Sequence, residues 1–308
     1  MYPSLYYAFK DLFGWDLPFL RMFQSFGFFV AIAFVFAAWL LSKELKRKEG
    51  LGLLQPHKET KTLGLPATTS ELIANFLIGF LLGFKLIYIA INFDEFTRNT
   101  QGFLLSTDGS LVGGLLIGAG STYLKYREKE KTKLAQPRVI EETVHPYQVV
   151  GNLTLIAAFT GILGAKIFHN LENWDTFVED PIGALLSFDG LTMYGGLIVA
   201  GIACIWYGRK KKIGTRHLID ATAPSLMLAY GIGRIGCHIS GDGDWGKDNL
   251  APKPDWLSWA PDWMWAYDYP NNVIGDGVPI PGCEGERYCN HLVPSVFPTA
   301  FYEAVACI

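Results

Sequence analysis

The charges of this 308-residue chain fall in blocks, and the stretches between those blocks are long apolar runs. A helix needs roughly 20 apolar residues to cross the ~30 Å hydrocarbon layer of a bilayer. Inside that layer a spanning segment has to satisfy its own backbone polar groups, which leaves helices and closed barrels. Runs at about 19–41, 72–92, 110–124, 148–169, 191–207 and 218–236 fit the helical solution, although those at 110 and 191 are short or glycine-rich. A further run from Val293 to Ile308 is too short to span comfortably. Only 18% of the residues are charged, against roughly a quarter in a soluble domain. The expected fold is therefore an all-α integral membrane protein, a polytopic bundle of about seven transmembrane helices forming a single membrane domain over residues 1–308. The first run lacks the basic start and small-residue cleavage site of a signal peptide, so it is read as a retained helix.

Basic residues set the orientation. Placing the loop after the first helix inside puts 17 of them on one face, among them Lys43 to Lys48, Lys125 to Arg138 and Arg209 to Arg216. The opposite loops hold Arg98, Lys247, Lys253 and Arg287. By the positive-inside rule, the amino terminus and the long loop after Gly236 lie on the outer face. In that loop Cys283 and Cys289 could pair where the compartment is oxidising, whereas Cys204 and Cys307 read as small hydrophobes in apolar runs.

The chain also repeats itself. "LLGFKLIYIAINFDEFTRNTQGFLLSTDGSLVGGLLIG" at 81–118 aligns with "ILGAKIFHNLENWDTFVEDPIGALLSFDGLTMYGGLIV" at 162–199, at a spacing of 81 that becomes 82. Each copy reads as a helix, a loop and a returning helix, so 72–127 and 148–212 are expected to be duplicated hairpins of one orientation. Lys85 and Lys166 sit at matching places in the spanning helices, where an ammonium snorkels, pairs or meets a polar cavity such as a lipid phosphate. Asp108 and Asp189 precede the returning runs, where a short oxygen side chain caps free amides. The pairs Gly113–Gly114 and Gly195–Gly196 permit close approach of a helix or a ligand. Tyr194 precedes only the second pair.

The stretch "GIGRIGCHISGDGDWG" at 231–246 crowds Arg234, Cys237, His238, Asp242 and Asp244 at the end of an apolar run. Together with "GAK" at 164–166, "GLTMYGGLI" at 190–198 and "FPTAFYE" at 297–303, it resembles the prolipoprotein diacylglyceryl transferases. The resemblance implies transfer of the diacylglyceryl group of phosphatidylglycerol to the lipobox cysteine thiol of prolipoproteins, the first step of lipoprotein maturation. The site would face outward from the bacterial inner membrane, with phosphatidylglycerol, prolipoprotein signal peptides and membrane lipids as partners. Neither metal nor organic cofactor is implied, and nucleic acid is not an expected partner. The resemblance also implies further helix and another arginine beyond Ile308, so the chain reads as truncated, and the first hairpin is additional to the family plan.

Departing phosphate carries negative charge that a guanidinium can neutralise, and Arg234 matches the family's arginine. The thiol has to lose a proton to become the nucleophile. Tyr194 stands where the family has a histidine, and a phenol is a weak base at neutral pH. Cys237 replaces the signature asparagine and Phe297 a later histidine. His238, oriented by Asp242 or Asp244, is a candidate for the proton transfer; a polar cap at the interface is the alternative. Lys166, Gly195, Gly196, Cys237, Gly246, Tyr302 and Glu303 are expected to line the substrate site. The Trp-rich outer loop, 237–294, reads as an interfacial belt or a lid. The rival classes are a transporter or channel built on the parallel repeat, and a non-catalytic relative that binds lipid or precursor.

Overall fold

A computed structural model describes residues 1–98, 100–187, 190–283 and 287–308, so Asp189 lies outside the described residues. Its helices run in chain order as α1 (Leu5–Phe13), α2 (Ser25–Gly50), α3 (Thr69–Ile91), α4 (Phe93–Arg98), α5 (Thr100–Leu105), α6 (Leu111–Thr132), α7 (Val150–Glu172), α8 (Trp174–Glu179), α9 (Pro181–Leu186), α10 (Met193–Lys210), α11 (Thr215–Ser240) and α12 (Thr299–Cys307). Two antiparallel ribbons interrupt them, β1 (His57–Leu63) with β2 (Arg138–Val144) and β3 (Val278–Pro279) with β4 (Asn290–His291). Among the described residues three segments, Ser25–Gly50, Thr69–Ile91 and Pro146–Glu172, are long and apolar enough to cross a membrane. Leu77, Leu81, Leu82, Leu115, Leu116 and Phe159 are among the large apolar side chains left exposed, as expected of helix faces solvated by lipid rather than water. The chain is thus mostly helical and consistent with a helical membrane protein.

Helices outrun the apolar stretches that announced them. The first run ends near Leu41, yet α2 continues to Gly50 through "SKELKRKEG". There Glu44 and Arg47, three residues apart, pair on its surface, a spacing that supports a helix beyond its apolar part.

Two compact units divide the chain. One comprises Met1–Leu54, Val150–Thr154 and Ile213–Ile308. In it α11 packs against α2 and α12. Gly236 lets α2 approach, since a Cβ there would stand 2.8 Å from the Cβ of Phe29. Gly231 likewise receives the end of α12, with the Cβ of Cys307 3.1 Å from such an atom. At the other end of α2 the buried Lys48 pairs with Asp220 of α11. Gly241, at φ 63°, ends α11 by returning its N–H to the Cys237 carbonyl, the left-handed C-cap that glycine adopts without steric cost.

Beyond that cap, residues 241–298 fold on themselves around buried Tyr269, Leu292 and Val296, with Met1, Trp245 and Tyr267 against them. Asn272, fully buried, accepts the N–H of Asp276 and donates to its carbonyl. Cys283 and Cys289 form a disulfide. Trp256 and Trp259 are exposed, whereas Trp263 packs edge-on against Phe301 and Trp265 against Phe297. The loop therefore combines two free indoles with two that anchor it to its own unit.

The other unit comprises Gln55–Val149 and Leu155–Lys212. A reciprocal capping box starts α3, with Thr68 accepting from the Glu71 N–H and Glu71 reaching back to Thr68, so two end donors are satisfied at once. Both long helix pairs close over glycine. A Cβ on Gly83 of α3 would lie 2.4 Å from the Gly113 carbonyl of α6, and one on Gly164 of α7 would lie 2.5 Å from the Gly195 carbonyl of α10. Small residues of this kind let helices pack without a hydrophobic driving force. Ser110, rather than Asp108, caps α6 by accepting the Gly113 N–H; the Asp108 carbonyl instead accepts a hydrogen bond from the Lys85 ammonium. At the base of the first hairpin, β1 and β2 pair from His57↔Val144 to Leu63↔Arg138. Lys211 clamps Glu59 of that ribbon at 2.7 Å to both carboxylate oxygens.

Candidate functional site

Arg234 lies near the C-terminal end of α11, nearly two turns before the helix closes. Because 3.6 residues make a turn, Tyr230, Arg234 and Cys237 share a face, which α12 and the tail after Gly241 cover. Nε of Arg234 pairs with Oε2 of Glu303 at 2.7 Å. Its Nη1 donates to Oδ2 of Asp244 and lies 3.8 Å from the Cys237 sulfur. Tyr230 donates its hydroxyl to the same Glu303 oxygen and offers its ring to the guanidinium at 5.7 Å. The αL turn at Gly241 reverses the chain, which carries Asp244 back over the helix end. The side chain of Arg234 retains 14% exposure, so the cation is held yet reachable.

The remaining expected residues divide between the two units. In the first, Cys237 is buried and its sulfur sits 3.7 Å from Oδ2 of Asp244, with Asp242 beside both. Gly246 donates its N–H to the Phe297 carbonyl, and a Cβ there would strike Thr299 at 2.7 Å. Tyr302 donates to the Met264 carbonyl at 2.6 Å, which ties the aromatic loop to α12. In the second unit, the Lys166 ammonium turns inward to Oγ of Ser187 at 2.7 Å, and the residue is buried. Its counterpart Lys85 donates to the carbonyls of Phe103, Ser106 and Asp108. These lysines bond into the loops of their own hairpins. Gly195 and Gly196 face α7, where Cβ atoms would meet Phe168 at 2.3 Å and the Gly161 carbonyl at 2.9 Å. The pair is a helix-packing surface. Tyr194 is exposed on the first turn of α10.

His238 needs a correction. Its Nδ1 meets the Tyr269 hydroxyl at 3.0 Å, rather than Asp242 or Asp244. Trp263, Tyr267, Tyr269 and Phe301 surround the ring at centroid distances of 5.5 to 5.7 Å. The αL turn sends the two aspartates toward Arg234, and the aromatic loop fills the place beside His238 instead. His238 lies beyond the apolar run 218–236, and burial lowers its pKa to about 4. The Tyr269 hydroxyl and the four surrounding rings hold the imidazole as an anchor for the loop.

That anchor makes the fold acid-sensitive. A histidine at about 4 in the folded chain and 6.5 in the unfolded one contributes its full stability above pH 6.5. That contribution declines as pH falls toward 4, because the unfolded chain binds the extra proton. The expected loss is about 3 kcal/mol. It is measured as the drop in tryptophan-reported unfolding midpoint from pH 7 to pH 4.5, and His238→Phe should flatten it. An equal drop in both proteins refutes the assignment.

Sequence comparison places this geometry. A sequence model described as prolipoprotein diacylglyceryl transferase matches residues 132–308, which contain Arg234, Asp244 and Glu303. The chain belongs to the prolipoprotein diacylglyceryl transferase family. Among curated relatives, the phosphatidylglycerol–prolipoprotein diacylglyceryl transferase of Dehalococcoides mccartyi is 35% identical over 95 residues, 31% of this chain and 36% of that protein. The Corynebacterium efficiens enzyme of the same name is 31% identical over 160 residues, covering 51% and 45%. The Leptospira interrogans enzyme is 26% identical over 246 residues, covering 79% and 53%. The chain thus spans between about a third and about half the length of these relatives. No solved structure matches it.

Arg234 was legible as a cation at a helix end, and Glu303 through the closing motif. Tyr230 and Tyr269 were missed. Each is one tyrosine among 14, and only the packing of distant segments gives it a partner.

Proposed function

We propose that this chain transfers the diacylglyceryl group of phosphatidylglycerol to the lipobox cysteine of prolipoproteins, at the outer face of the bacterial inner membrane. The thiol gives up its proton, sulfur bonds to the glyceryl carbon, and the carbon–oxygen bond to phosphate breaks, releasing glycerol phosphate, which takes up the proton. One observation carries the reading. Within the family-matched region a guanidinium stands near a helix end, paired beside Nε with Glu303 at 2.7 Å and through Nη1 with Asp244. A developing phosphate charge is stabilised best by donors already in position, and Glu303 together with Tyr230 supplies that positioning.

In this reading the chain is a bundle of about seven spanning helices, with the segments 72–127 and 148–212 as duplicated hairpins and the loop 237–294 outside. The matching glycine closures at Gly83–Gly113 and Gly164–Gly195 support the duplication.

The test uses the chain in vesicles of phosphatidylglycerol with a peptide carrying a lipobox cysteine. A mass gain of one diacylglyceryl group on that cysteine is expected, as is rescue of a conditional strain lacking its own transferase. Stable expression without rescue or mass gain refutes the enzyme. Lipid-independent solute flux would favour the transporter instead.

A further inference from the structure

The guanidinium of Arg234 has two edges that can grip a phosphate with paired donors: the side edge, which includes Nε, and the end, formed by Nη1 and Nη2. Nε is buried, 2.7 Å from the Glu303 carboxylate without a hydrogen bond to it, and Asp244 occupies Nη1. Nη2 makes no hydrogen bond among the described residues. A bidentate phosphate contact, the geometry in which arginine binds most strongly, therefore has only the end edge available. Asp244 stands on half of it.

Charge reinforces the geometry. One cation is bracketed by two carboxylates, and Asp242 adds a third nearby through Cys237. An anionic ligand added to this group meets net repulsion unless a carboxylate withdraws, since like charges at contact oppose each other strongly in a partly buried place.

Of the two that touch the guanidinium, Glu303 is built to stay. It lies on α12, receives the Tyr230 hydroxyl and has 39% side-chain exposure. Asp244 is built to leave. Its side chain is 59% exposed. Its segment includes Gly241 at φ 63° and Gly243 at φ 99°, residues that rotate through conformations closed to other side chains. Its remaining hold is slight: the Cys237 thiol donates to Oδ2 at 3.7 Å, its N–H reaches Oδ1 of Asp242 at 3.3 Å, and its carbonyl accepts from the Thr299 hydroxyl at 3.5 Å.

We propose that the Asp244 carboxylate occupies the ligand phosphate's place on the end edge of Arg234 and is displaced when that phosphate binds. The proposal rests on the function given above. Asp244 then sets selectivity: a ligand enters only if its phosphate outcompetes an intramolecular carboxylate, which excludes weakly basic anions and neutral headgroups. Glu303 remains on Nε throughout and keeps the guanidinium plane fixed.

Binding and transfer are measured separately, so that the two ideas can fail separately. Fluorescent phosphatidylglycerol is titrated into the full chain in phosphatidylcholine nanodiscs, and glycerol phosphate is titrated in a parallel arm. Asp244→Asn is expected to bind phosphatidylglycerol about tenfold more tightly. Asp255→Asn, which removes the same charge from the same loop away from Arg234, should change nothing, and Arg234→Gln should erase the gain in the double variant. A gain in the phosphatidylglycerol arm alone assigns the place to the lipid headgroup; a gain in both arms assigns it to phosphate from either source. Unchanged or weaker binding by Asp244→Asn overturns the displacement, as does an equal gain from Asp255→Asn. Tighter binding with no transfer by the unsubstituted chain leaves the displacement standing and refutes the transferase.

Discussion

Arg234→Lys is expected to lower the rate of diacylglyceryl transfer by about 10³-fold, the scale seen when a preorganised charge stabiliser is removed from an active site. Lysine keeps the charge, so the loss isolates geometry. A guanidinium can pair with Glu303 beside Nε, 2.7 Å away, while its terminal nitrogens reach another partner, as Nη1 reaches Asp244. An ammonium is a single point that either sits on Glu303 or reaches the phosphate. The measurement is transfer per folded molecule, with membrane abundance held equal. A loss under tenfold would show that charge alone suffices and that the Tyr230–Glu303 support is incidental.

The second large effect concerns folding. Gly195→Leu is expected to prevent assembly of the second hairpin, because even its first added carbon would stand 2.3 Å from Phe168 and 2.6 Å from the Gly164 carbonyl. The latter is backbone and cannot turn aside, so the cost exceeds the roughly 1–3 kcal/mol of ordinary overpacking. Gly201→Leu, at a site with nothing within 4 Å, should be tolerated. The yield of detergent-extracted, monodisperse protein compares the two. Equal yields would remove Gly195 from the packing surface.

Sequence revealed what is local or periodic. Apolar runs located the long helices, and the crowding at 231–246 located Arg234. Helix ends were harder, because pairs such as Glu44 with Arg47 extend a helix past its apolar part without marking it. Charged residues were legible as conspicuous but not as partnered. Lys85 and Lys166 stood out as cations in apolar runs, yet their partners are carbonyls and a hydroxyl of their own loops. Nothing in a string of letters identifies a carbonyl as a ligand. The same limit applies at the site, where Arg234 and Glu303 are 69 positions apart. His238 shows the opposite failure: its conspicuous chemistry suggested a carboxylate-oriented base, and its neighbours are the rings of Trp263, Tyr267, Tyr269 and Phe301.

The β1–β2 ribbon has a consequence for the history of the chain. Paired strands lie roughly 5 Å apart, and His57 sits directly opposite Val144. The polypeptide therefore sets out on the first hairpin and comes home to almost the same point. Everything between those two residues can be gained or deleted through a single join about one strand spacing wide, with the chain on either side keeping its path. A helix pair such as α3 and α6 could be acquired this way in one genetic event.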